Sequence, residues 1–144
     1  MIEQDTIRLL RECDAGIKMG VASIDDVISY ISDPDLQQLL TTCKNDHITL
    51  KDEIQTLLHK YHDEGKEPDA MAKGMSWLKT NVKLVLNESD NTIASLMTDG
   101  CNMGIKSLNQ FLNEFRAADE TSKDIAKRLI QLEEQLVQNV KKFL

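Results

Sequence analysis

The sequence predicts an all-α protein built as a four-helix bundle, and three observations carry that expectation. Apolar residues step by three and four along four long segments, polar breaks holding helix-stopping and helix-starting residues separate them, and no β-branched run with a period of two occurs. In addition, nearly the same stretch is written twice, "KMGVASIDDVI" at 18–28 and "NMGIKSLNQFL" at 102–112. A repeat 84 residues apart in a chain of 144 suggests a duplicated helical hairpin.

The first helix is expected over 4–31, where Ile7, Leu10, Asp14, Ile17, Val21, Ile24, Ile28 and Ile31 form one seam. "SDPD" at 32–35 closes it and opens the second, with Asp33 as N-cap and Pro34 at the first helical position. The second, 34–64, steps through Leu36, Leu40, Cys43, His47, Leu50, Ile54, Leu57 and Tyr61, and "EGKEPD" ends it with Gly65 as a left-handed cap. A connecting helix is expected over 68–87, amphipathic through Met71, Met75, Leu78, Val82 and Val85 with Trp77 nearby. The fourth, 90–116, begins after "LNESDN" with Ser89 as candidate cap and settles into Cys101, Ile105, Leu108, Leu112 and Phe115. The fifth, 120–143, is capped by Asp119 and runs through Ile125, Leu129, Leu132, Leu136, Val140 and Phe143. One domain follows, with hairpin one at 4–64, a crossover at 65–89 and hairpin two at 90–143.

A net charge of −7 and a pI near 4.9 speak against a nucleic-acid or anionic-membrane partner, which needs a concentrated positive field. No run of 18 uncharged apolar residues occurs, and "MIEQDTIRLL" lacks the basic-then-apolar order of a signal peptide, so a cytoplasmic location is expected. Cys13, Cys43 and Cys101 are odd in number and unpaired in spacing, which fits reduced core thiols better than a disulfide framework.

The repeated M-G-[VI]-x-S-[IL] stretches, the "SDPDL" turn and the closing "LIQLEEQLVQNVKKFL" are similar to small ferritin-like proteins of Gram-positive bacteria, over most of the chain. That resemblance implies two antiparallel hairpins joined by a long crossover. It also implies a di-iron centre made from a Glu on each of two helices and a Glu-x-x-His on each of the other two. This sequence departs from that pattern: Lys44 stands three before His47, and the last helix has no histidine. The remnant is Asp14 with His47, expected at similar height as a buried hydrogen-bonded pair or a weak site for iron, manganese or zinc. No cofactor is otherwise expected.

Other groups carry less. His59 and His62 have metal-ligand spacing at a helix end beside solvent, and Glu133 and Glu134 point about 100° apart, so at most one faces the core. Gly16 and Gly20 align with Gly100 and Gly104, and each mid-helical glycine costs about 1 kcal/mol against alanine. They are therefore expected to bring the first and third bundle helices close, or else to face a partner chain beside Met19 and Met103. The functional expectation is a metal-free scaffold acting through a protein partner or self-association rather than an enzyme. The alternatives are a weak metal or redox protein at Asp14 and His47, and a helical signalling bundle.

Overall fold

The computed structural model describes residues 3–68 and 89–144, so the expected crossover helix with Met71, Met75 and Trp77 lies outside the described residues. The described chain is helical: α1 (Gln4–Val27), α2 (Pro34–Lys60), α3 (Asp90–Glu114) and α4 (Glu120–Val140), with 3-10 turns at Ile28–Tyr30 and Lys141–Phe143 closing α1 and α4. No strand occurs among the described residues.

Local chemistry explains the boundaries. The Asp33 carboxylate accepts from the Asp35 N–H with Pro34 at the first helical position, and the Asp119 carboxylate accepts from the Ser122 N–H. Ser89 makes no such cap to the backbone; its hydroxyl bonds the side chains of Asn91 and Thr92 instead. The expectation that Gly65 caps α2 is corrected. His62 takes the left-handed position at φ 59°, with Asp63 N–H donating to Leu58 C=O at 2.9 Å and His62 N–H to His59 C=O at 3.0 Å. Those two bonds are a Schellman closure three residues before the glycine. Gly65 is also left-handed, at φ 86°, but within the segment that follows.

Cross-helix contacts set the helix directions. Near the first turn Lys44 Nζ meets Asp25 at 2.5 Å, and Gln55 reaches Asp14 while Arg11 reaches Asp63, so α1 and α2 are antiparallel. The Arg128–Glu53 and His47–Glu133 contacts make α2 and α4 antiparallel as well. At one end the Ser32 and Asp33 N–H groups each donate to Asp90 at 2.9 Å. At the other, Asp119 N–H donates to Thr6 Oγ1 and Ala117 N–H to Asp5 Oδ2. Helix α1 is therefore antiparallel to α3, and the chain leaves α2 at one end and enters α3 at the other.

Two apolar clusters fill the interior. Leu9, Leu10, Ile17, Ile54, Leu58, Ile125 and Leu129 belong to the one at the α1 N-terminal end. Ile24, Val27, Leu36, Leu40, Ile93, Met97, Leu136 and Val140 belong to the other. The expected seams supply most of this core. On α1 the buried face is broader than the seam, because Leu9, Cys13 and Val27 are buried beside it while Ile7 and Val21 are only half-buried.

Candidate functional site: a polar layer beside a glycine-walled cleft

His47 lies on α2 at the level where one apolar cluster gives way to the other, and its imidazole is almost fully buried. A buried ring with two nitrogens needs two partners. Nδ1 lies 2.7 Å from the Cys43 carbonyl oxygen, one turn back on the same helix, and Nε2 lies 3.3 Å from Glu133 Oε1 on α4. Both partners are acceptors, so both nitrogens carry protons and the ring is an imidazolium. Burial disfavours that charge, but the Cys43 side chain, whose Sγ lies 3.5 Å from Nδ1, and Glu133 outweigh it and raise the pKa from 6.5 to about 10. Burial, and after it the same Glu133 carboxylate, push the Cys101 thiol on α3 well up. Residues from three helices thus converge on Glu133.

The expected Asp14–His47 pair does not form. Asp14 is fully buried, and its carboxylate is held by Lys18 Nζ at 2.8 Å, Lys66 N–H at 3.1 Å and Gln55 Nε2 at 3.4 Å. The physical reason is register. Residues facing each other across the α1–α2 hairpin are centred near residue 34, so Asp14 sits beside Gln55 and His47 beside Gly20. Eight residues of α2 separate those levels, roughly 12 Å along the axis at 1.5 Å per residue. Asp14 instead fastens the chain that leaves α2. Lys18 also reaches Glu67 at 3.0 Å, Lys66 Nζ reaches Glu12 at 2.5 Å, and a Cβ at Gly65 would run into the Asp14 carboxylate.

Of the remaining candidates, His59 and His62 are exposed. Glu133 faces inward with its side chain 12% exposed while its neighbour Glu134 is exposed, as the 100° separation requires. All three cysteines are buried and free, and burial pushes the Cys13 thiol up to about 12, which leaves it inert. Among the described residues no three His, Cys, Asp or Glu side chains gather as a metal-ligand group.

At Gly16, Gly20 and Gly104 the nearest atoms to the missing side chain are not those of a facing glycine. A Cβ on Gly20 would meet His47 at 3.4 Å, one on Gly104 would meet the Glu133 carboxylate at 3.4 Å, and one on Gly16 would meet nothing within 4 Å. The four positions instead wall a cleft of about 310 Å³ between α1 and α3. Ala15, Met19, Leu96, Met97, Met103 and Phe111 give it an apolar lining, and His47, Glu133, Cys43 and Cys101 contribute its polar side. Its volume lies in the range of small-molecule sites. Sequence reasoning singled out Glu133 only as one of two adjacent carboxylates, and its pairing with His47 was missed because it lies beside the Leu129–Leu132–Leu136 seam rather than on it. The available signal was Gly104, whose missing side chain leaves room for that carboxylate on the facing helix. No family model, curated protein or solved structure matches this chain.

Proposed function

We propose that this chain is a metal-free, ferritin-like helical protein that works by binding, with the α1–α3 cleft as its working surface. The helix directions support the ferritin-like reading. Two antiparallel hairpins are entered from opposite ends of the bundle, as a single long crossover requires. The observation that carries the metal-free reading is the closure of His47. With Nδ1–H given to Cys43 C=O and Nε2–H to Glu133, neither nitrogen offers the lone pair that a metal ligand must supply. Asp14 is turned away to Lys18 and Lys66, so the buried carboxylate and the buried imidazole serve separate structural ends.

Catalysis by a thiol is disfavoured for the same kind of reason, since a nucleophilic cysteine needs a lowered pKa and both Cys13 and Cys101 are pushed up. What remains is a preformed, largely apolar cleft with a small polar side, the form of a binding site. Elemental analysis of protein purified without chelators or a metal-affinity tag tests the reading. Substoichiometric metal is expected, and near-stoichiometric iron, manganese or zinc contradicts it.

A further inference from the structure

We infer that the cleft takes a neutral, ring-sized apolar molecule carrying one hydrogen-bond donor, a hydroxyl or N–H, which it presents to the Glu133 carboxylate. The inference deepens the binding reading and rests on it. Three features of the site select this chemistry. The lining is dominated by Met19, Met97, Met103, Leu96 and Phe111, and thioether side chains adapt to flat apolar surfaces and favour aromatic edges. Met103 is 51% exposed, a large apolar side chain left open at the cleft. The absence of side chains at Gly16, Gly20, Gly100 and Gly104 supplies the width that a ring needs.

The polar side fixes the donor. A carboxylate has about four acceptor positions, of which His47 Nε2–H occupies one. The carboxylate lies against Gly104, 3.4 Å from where any other residue would place a Cβ, and it lines the cleft. His47 has no proton left to give, because its two N–H groups are spent on Cys43 C=O and Glu133. At the Glu133 side the site therefore offers an acceptor, while among the described lining residues the Lys66 ammonium is already held by Glu12 and the remaining side-chain donors are the hydroxyls of Ser23 and Ser107. The ligand is neutral because, among the described lining residues, the charges are already matched, His47 with Glu133 and Lys66 with Glu12, so a further buried charge would find no free counter-ion there.

The test compares 4-phenylphenol with 4-methoxybiphenyl, two probes of similar shape of which only the first donates a hydrogen bond. Binding is read by NMR from the methyl resonances of Met19, Met97 and Met103 in the full chain. A hydrogen bond to a charged group predicts roughly tenfold or more tighter binding of 4-phenylphenol. Gly16→Phe places a ring in open space at the cleft and should abolish binding of both probes with the fold intact. Glu133→Gln, checked by circular dichroism for retained helix, should narrow the difference between the probes while leaving 4-methoxybiphenyl bound. Equal affinities for the two probes overturn the donor assignment and leave the cleft as a binding surface. Methyl shifts that persist unchanged in Gly16→Phe, or no shift with either probe, overturn the ligand class altogether. A stoichiometric metal would instead overturn the metal-free reading on which it rests.

Discussion

His47 and Asp14 are both buried ionisable residues on seam positions, yet they do different work, and the difference is testable one residue at a time. Replacing His47 with Leu leaves Glu133 buried without its counter-charge, a loss expected to cost about 3–5 kcal/mol in denaturant unfolding. The pH dependence follows from the raised pKa. Because the folded value, about 10, lies above the unfolded 6.5, the pair's stabilisation is complete below about pH 6.5 and is lost as pH rises toward 10. The cysteine thiols add a loss of the same sign only from about pH 9, where the unfolded chain begins to ionise them. A decline in stability between pH 7 and 9 that disappears in His47→Leu therefore reports the imidazolium. Both residues stood out in the sequence as polar groups on apolar stripes, but their partners did not. Asp14's partners come from Lys18, Gln55 and the backbone of Lys66, and a register error of two turns across one hairpin was enough to pair it wrongly with His47.

The ends and interruptions of the helices obey local chemistry that a sequence states almost directly. Asp33–Pro34 and Asp119 cap where expected because their side chains reach N–H groups two and three residues on. The C-terminus of α2 was less legible, because a non-glycine residue occupies the left-handed position ahead of the glycine that advertises it. At that position His62→Gly should raise stability by roughly 0.5–1 kcal/mol, read as a shift in denaturant midpoint. The glycines separate by the same logic. Gly16→Ala enters open space in a helix and should stabilise by about 0.5–1 kcal/mol. Gly65→Ala should destabilise by more than about 1 kcal/mol, since it meets both a positive φ and the Asp14 carboxylate. Equal effects of the two alanines would contradict the roles given to these glycines. The similarity of the two sequence stretches suggested that Gly16, Gly20, Gly100 and Gly104 share a purpose. It could not show whether four missing side chains close a helix crossing or open a cleft, because that depends on what α2 and α4 place beneath them.

At the scale of the whole molecule, the antiparallel pairs α1–α2 and α3–α4 bury two apolar clusters with a polar layer between them, and the His47–Glu133 pair is the bond across that layer. The pair ties the first hairpin to the second, and Gly104 packs α3 against the same carboxylate. Periodicity made the four helices legible because each stripe must be buried against the others. Which residues meet in the middle layer was not legible, because it is set by the register of α2 against α4, and no local motif encodes that. The account therefore turns on one claim, that His47 is a doubly donating cation rather than a metal ligand. Nitrogen-15 NMR of the His47 imidazole ring at pH 8 tests it directly. Both ring nitrogens of His47 are expected to be protonated at that pH. A neutral His47 ring, or a nitrogen shifted by a bound metal, would contradict the account.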